Sequence, residues 1–256
     1  MSRAAKSGLV AALTLAALLA AAWLATGRAQ SPLVADLSKH LVAITTGFAG
    51  TDVLLFGAID EPGDVIVLVR GPSGPVTMHR KSRIAGIWIN TASMTFDEAP
   101  AFFAVAASRP LEAIASEVVL KRNDILIDDS DVIRLAPAKA SANIANDWRQ
   151  ALIRNKQRSN LYPLEAGRVD FLGAQLFRTD VFFPANVPTG TYQVQVFLLR
   201  DGAVVSAQTT PLIVSKIGVE AEIFDFAHQQ SALYGLIAIL VALVAGWLAH
   251  IAFRKS

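Results

Sequence analysis

Cysteine is absent from all 256 residues, and the chain has only four histidines and three tyrosines. Without thiols there is no disulfide framework, no cysteine nucleophile, no thiolate metal site and no thiol redox chemistry. A domain of about 200 residues can bury a core without such staples, so the absence does not argue against a stable fold. His40, His79, His228 and His250 lie far apart, with no i,i+3 or i,i+4 pair to make a helical metal site. No Gly-x-Ser-x-Gly elbow, phosphate loop, dinucleotide fingerprint or His-Glu-x-x-His is present. Ser73, in Gly71-Pro72-Ser73-Gly74, is one residue short of the elbow spacing and has a turn composition. Asp124, Asp128, Asp129 and Asp131 form the densest acidic cluster, but the glycine and terminal glutamate of a calcium loop are missing. No catalytic residue, cofactor or metal ligand is therefore named, and the expectation is a protein that is not an enzyme.

What the chain does have is apolar bulk in two runs. Its mean hydropathy of +0.44 is high for a soluble globular protein. Gly8 to Ala25 is an 18-residue run without a charge, and Ala232 to Phe253 is a 22-residue run whose only ionisable groups are Tyr234 and His250. The basic balance dissolves once these runs are set aside. Five of the 23 Lys and Arg (Arg3, Lys6, Arg28, Arg254 and Lys255) flank them. The remaining 18 share the region Gln30 to Ser231 with all 21 acidic residues, a net −3. A nucleic-acid surface is excluded for the part that folds.

The first run has the layout of a signal peptide, residues 1–29. Arg3 and Lys6 precede it, and Gly27-Arg28-Ala29 puts small residues at −3 and −1 of a cut before Gln30. An uncleaved anchor is the other reading, and both export residue 30 onward. The second run predicts a transmembrane helix over 232–253. At about 1.5 Å per residue it spans roughly 33 Å, enough for a hydrocarbon core of about 30 Å. Arg254 and Lys255, in a tail of residues 254–256, suit the cytoplasmic side. Glu220, Glu222 and Asp225, in a juxtamembrane stretch at 220–231, suit the outer side. The expected placement is a bacterial inner membrane, with the ectodomain in the periplasm and the C-terminus in the cytoplasm.

Between the runs the chain reads as strands. Leu41 to Thr46, Asp52 to Ile59, Asp64 to Arg70, Val76 to Arg83, Ile84 to Asn90, Ser93 to Phe96 and Ala101 to Ala106 alternate with turn compositions such as Asp60-Glu61-Pro62-Gly63. Val65 to Val69 is continuously apolar, as in a strand covered on both faces. A short helix begins after Ser108-Arg109-Pro110, with Leu111 and Ile114 inward. A longer amphipathic helix runs from about Ala142 to Ser159, carrying Ile144, Trp148 and Leu152 on one face. After it, Val169 to Gln175, Thr191 to Leu198, Ala203 to Ala207 and Leu212 to Lys216 read as strands, with Asp201-Gly202 as a hairpin turn. The expected fold is mainly β: an immunoglobulin-like sandwich ectodomain with an amphipathic helix at 141–160. The β-rich parts at 30–140 and 161–219 form either one composite sandwich or two small units.

Several strings together carry a resemblance. They are Gly86-Ile87-Trp88-Ile89-Asn90, Ser108-Arg109-Pro110-Leu111, Val187-Pro188-Thr189-Gly190-Thr191-Tyr192, Phe226-Ala227-His228, Tyr234-Gly235-Leu236 and Gly246-Trp247-Leu248. The chain resembles a family of single-pass transmembrane proteins of alphaproteobacteria, over nearly all its length. The resemblance supports the topology and implies no activity, cofactor or catalytic residue. Members of that family are sometimes encoded beside exporter-like permeases, which makes a multi-pass permease an expected partner.

Two surfaces are candidates for interaction. Gly235, Ala238, Ala242, Ala245 and Ala249 recur at spacings of three and four, a stripe that lets another transmembrane helix approach closely. The partner is a second copy or a multi-pass protein; the competing reading is that alanine is simply abundant there. Arg80, Lys81 and Arg83 form the densest basic cluster, with Lys81 and Arg83 on one strand face and Arg80 on the other. It reads either as an edge protected by charge or as a docking surface for an anion or lipid headgroups. The favoured function is an accessory or interaction subunit of a membrane transport or envelope complex, held in the lipid bilayer. The alternative is a periplasmic anion-binding or sensor module, and an enzyme with a scattered site is the third class.

Overall fold

The computed structural model describes residues 32–128, 131–135, 142–218 and 226–253. The leader at 1–29, Asp129, the acidic juxtamembrane residues Glu220, Glu222 and Asp225, and the tail at 254–256 lie outside the described residues.

Seven strands come first: β1 (Leu33–Leu37), β2 (Leu41–Ile44), β3 (Gly50–Ile59), β4 (Asp64–Arg70), β5 (Ser73–Ile84), β6 (Ile87–Pro100) and β7 (Phe103–Ala107). Two short helices come next, α1 (Leu111–Ile114) and α2 (Glu117–Arg122), then β8 (Arg134–Leu135) and α3 (Ala142–Arg158). Strands β9 (Gly167–Arg168), β10 (Asp170–Leu172), β11 (Leu176–Pro184), β12 (Gly190–Arg200) and β13 (Ala203–Lys216) complete the β region, and α4 (Ser231–Phe253) comes last.

The architecture is mainly β. One sheet has the order β1-β3-β11-β10, a second β2-β13-β12-β4-β7-β9, and a third β5-β6-β8. The first two sheets each combine strands from before and after α3, so the two β-rich stretches of sequence build one composite core. Burial repeats with the period of two that a sheet covered on one face requires. In β11, Phe177, Thr179, Val181 and Phe183 are buried while Leu176, Arg178, Asp180 and Phe182 are exposed. The sheets meet through aromatic rings: Phe102 stacks on Phe183 at 5.2 Å between centroids, and Tyr192 meets both at 5.9 and 5.7 Å. Such pairs add about 0.5–1.5 kcal/mol each beyond the area they bury.

Strand β4 is the centre. Val65 to Val69 are all buried, as their uninterrupted apolar run predicts for a strand covered on both faces. At the end of the strand Arg70 reaches over the residues after α2, donating to the Asp124 carbonyl at 3.1 Å and to its carboxylate at 3.5 Å. Helix α3 matches its predicted range, and buries Trp148, Leu152 and Ile153. Ile144 differs from expectation: it is 49% exposed, because it lies in the first turn, before the stretch that packs on the core. Helix α1 buries Ile114 and packs Leu111 partly against the core.

Two further differences concern strand length. Ala203–Ala207 and Leu212–Lys216 are one continuous strand, β13, with Pro211 inside it opposite Gln193. Proline is tolerated there because β2 borders β13 only at Ile213–Lys216, leaving the flank beside Pro211 without a strand. Gln208 fills part of that flank: its side-chain amide accepts from the Ala35 N–H at 2.9 Å and donates to the Ala35 carbonyl at 2.7 Å. Likewise Val76–Arg83, Ile84–Asn90 and Ser93–Phe96 are not separate short strands but two long arms, β5 and β6.

Candidate functional site

The ribbon of β5 and β6 is an extension of the central ladder. Strand β4 pairs antiparallel with β7, and the chain runs from β4 into β5 and from β6 into β7. At the junction the Gly71 N–H donates to the Phe102 carbonyl and the Ala101 N–H to the Pro72 carbonyl, both at 2.8 Å. A Cβ on Gly71 would stand 2.8 Å from the Phe102 nitrogen and 3.0 Å from the Tyr192 ring, so glycine permits the close approach there.

The inner half of the ribbon is packed. Phe96 is buried, and Val76, Met78 and Met94 lie partly buried against the core. Strand β8 pairs with β6 through Leu135 and Phe96. The Arg80 guanidinium lies over the Trp148 ring of α3, 5.0 Å from its centroid.

The outer half is different. Among the described residues, the two arms pair only with each other from Lys81 to Asn90. Ala85 and Gly86 both have positive φ, 50° and 86°, the geometry of a two-residue hairpin turn matched to strand twist. The register then places Ile84 opposite Ile87 and Ser82 opposite Ile89 on one face, with Arg83 opposite Trp88 and Lys81 opposite Asn90 on the other. Thr91 is the extra residue of a bulge behind this segment, and its hydroxyl donates to the Arg80 carbonyl at 3.3 Å. Ile84, Ile87, Trp88 and Ile89 are 53%, 67%, 65% and 43% exposed. Lys81 and Arg83 are also exposed, and the Arg83 Nε donates to the Gly86 carbonyl at 3.3 Å.

The three cations picked out in the sequence are thus placed in two settings. Lys81 and Arg83 share one face near the tip, and Arg80 is held against α3. Sequence reasoning singles out these cations and misses the apolar tip beside them. The signal is there in Ile84-Ala85-Gly86-Ile87-Trp88-Ile89, a turn dipeptide inside an apolar run.

A cavity of about 370 Å³ lies between the two large sheets, lined by Val67, Val69 and Ala106 on one side and Val181 and Phe182 on the other. Its charged lining residues are Glu165 and Asp180. Arg80, Lys81 and Arg83 do not line it, so it is not where the basic cluster would hold an anion. Among the described residues no group of three or more His, Asp or Glu side chains is arranged to hold a metal ion.

Helix α4 is the second candidate element. Ser231–Ile251 has a mean hydropathy of 2.4, and no part of its most apolar window is buried against the rest of the protein. It is the one helix among the described residues long and apolar enough to cross a membrane. Gly235, Ala238, Ala242, Ala245 and Ala249 all lie on it, and a Cβ at Gly235 or Gly246 would meet nothing within 4 Å. A family model described as "Putative transmembrane protein (Alph_Pro_TM)" matches residues 32–255, both the β region and this helix. The chain belongs to that family. As a transmembrane family member with a single candidate helix, it sits in a lipid bilayer through α4. No curated protein matches the chain.

Proposed function

We propose that this family member is a non-catalytic interaction subunit of a membrane transport or envelope complex, anchored by α4 with its β domain on the periplasmic side of the inner membrane. The observation that carries the reading is the outer half of the ribbon: four large apolar side chains exposed on an element that the core holds at its base. Water-exposed apolar groups clustered on a projecting arm mark a docking element. The stripe from Gly235 to Ala249 supplies a second contact, with a helix of a multi-pass partner or a second copy. Arg254 and Lys255 favour a cytoplasmic C-terminus, and the leader-like segment at 1–29 favours export of residue 30 onward.

Photocrosslinkers placed at Trp88 and Ala242 in native membranes test this. Adducts at both positions, with none from a probe at exposed Val205 on β13, are expected; no adduct at either would reject the reading. A reporter fused after Ser256 that works only in the periplasm would overturn the orientation.

A second reading, an anion-binding or sensor module, draws on Lys81 and Arg83 sharing one exposed face. Saturable small-anion binding that disappears in the Lys81→Gln, Arg83→Gln variant would favour it.

A further inference from the structure

We infer that the occupant of the ribbon tip is the headgroup layer of an anionic phospholipid bilayer, into which Ile84, Ile87 and Trp88 insert while Lys81 and Arg83 meet the phosphates. This rests on the reading of the ribbon as a docking element and names its partner.

Apolar groups occupy both faces of the tip. Ile84, Ile87 and Ile89 lie on one face and Trp88 on the other. A lipid interface surrounds an inserted tip and so accepts apolar groups on both of its faces. Tryptophan is also the side chain that favours the boundary between headgroups and acyl chains.

The charge of the outer half of the ribbon is one-sided; the acidic residues of β6, Asp97 and Glu98, lie at its inner end. No acidic residue lies between Asp64 and Asp97, while Arg80, Lys81 and Arg83 fall within that stretch on the ribbon. Between Gln30 and Ser231 the net charge is −3, so without these three cations it is −6. A locally cationic outer half on an otherwise acidic region selects an anionic surface and keeps the remainder of the domain away from it.

The cations also lie at a suitable depth. Arg83 and Lys81 are one and three residues behind Ile84, about 3 to 10 Å along a strand. Interfacial segments bury their apolar side about 5–10 Å into the headgroup boundary, which leaves these cations at phosphate level. The unpaired edges of a two-stranded ribbon cannot enter the hydrocarbon itself, so insertion stops at the interface.

Reach is satisfied by covalent connection. Ser231, the start of α4, lies fifteen residues beyond Lys216, the end of β13. Fully extended, that connection covers at most about 50 Å. The ribbon arms of 12 and 14 residues are roughly 40 Å long. The domain therefore cannot leave the vicinity of the bilayer that holds α4, and weak docking is multiplied by a high local concentration.

The absence of cysteine makes labelling specific. A single Ile87→Cys substitution in the full chain, labelled with an environment-sensitive fluorophore, is reconstituted in vesicles of phosphatidylethanolamine and about 30% phosphatidylglycerol. Lipids bearing a shallow nitroxide quencher report contact, and Val205→Cys serves as the control. Quenching at residue 87 and not at 205 is expected, with a loss in neutral phosphatidylcholine vesicles. The added Lys81→Gln, Arg83→Gln pair should weaken docking about 25-fold, from roughly fivefold per cation. Ile84→Cys, labelled in the same way, guards against a local effect at residue 87. Labels at 84 and 87 that stay water-exposed in anionic vesicles would overturn the inference. So would equal quenching in neutral and anionic vesicles. If the tip is shielded only in native membranes, with a protein adduct at Trp88, lipid docking fails and the interaction-subunit reading stands.

Discussion

The guanidinium of Arg80 on β5 lies 5.0 Å from the ring centroid of Trp148 on α3, and the indole beneath it is 6% exposed. This contact fastens the amphipathic helix to the ribbon where its outer half begins. Cation–π pairs contribute about 0.5–2 kcal/mol, depending on desolvation. Arg80→Ala should lower unfolding stability by that amount and shift the emission of Trp148. Arg83→Ala, near the tip, should change stability by less than about 0.5 kcal/mol. Urea unfolding tracked by fluorescence, with the other tryptophans replaced by phenylalanine, compares the two.

Gly57 in β3 is confined between its neighbours. A Cβ there would stand 2.5 Å from both the Phe177 ring and the Val34 carbonyl oxygen. A backbone oxygen in a paired strand cannot move aside, so overpacking should cost about 1–3 kcal/mol in Gly57→Ala. Gly47, with nothing within 4 Å, provides the matched control, and Gly47→Ala should be nearly neutral. Thermal melts of both variants decide it; equal stability would show that the sheet relaxes at β3.

Asp64 fastens the start of β4 to the segment before α1. Its carboxylate accepts from the Ser108 hydroxyl at 3.0 Å and from the Arg109 Nε at 2.8 Å, and it is ion-paired with the Arg109 terminal nitrogen. The Arg109 guanidinium holds its carboxyl below the ordinary value of 3.8, against the opposing effect of burial. A depressed folded value means stability present above about pH 4 and lost as pH falls through the folded value. The drop in stability between pH 6 and pH 3 should be smaller in Asp64→Asn than in the parent. Because the Arg109 side chain is 56% exposed, added salt should shrink the difference.

At the alkaline end the tyrosines take over. Tyr162 donates from its phenol to the Pro100 carbonyl at 2.5 Å, and Tyr192 donates to the Pro188 carbonyl at 2.6 Å. Burial raises both phenols well above their ordinary value of 10. The unfolded chain therefore loses these protons first, and stability falls as pH rises beyond about 10. Tyr162→Phe should cost about 1–3 kcal/mol at neutral pH, from the unpaired carbonyl. It should also flatten the decline between pH 9 and 11. Denaturant midpoints across that range measure both effects.

Local signals made much of this fold legible. The Asp201-Gly202 turn, the α3 helix, the unbroken apolar run of β4 and the apolar length of α4 each announce themselves through one period or one dipeptide. What escaped depends on distant partners. Strand β11 carries the alternation of a half-buried strand, with Phe177, Thr179, Val181 and Phe183 inward and Arg178 and Asp180 between them, but its place beside β3 depends on a partner more than a hundred residues away. Pro211 breaks β13 in sequence because only the sheet reveals that, among the described residues, no ladder partner lies on its open side. Helix α2 is six residues long, too short for periodicity to show, though Glu117 in its first turn and Lys121 and Arg122 in its last suit the dipole. At the candidate site the cations were visible as a cluster. Their division between α3 and the tip was not, since it depends on a register set by Ala85, Gly86 and the Thr91 bulge.

Because the Gly71–Phe102 and Ala101–Pro72 hydrogen bonds carry the β4–β7 ladder into β5 and β6, the arm is rooted in the middle of the domain. Its two sides, 12 and 14 residues long, are reconciled by two register shifts, one after Gly74 and one at Thr91. Removing one residue from β5 on the base side of Arg83 would exchange the faces of Arg83 and Ile84, turning a greasy tip with charged shoulders inside out.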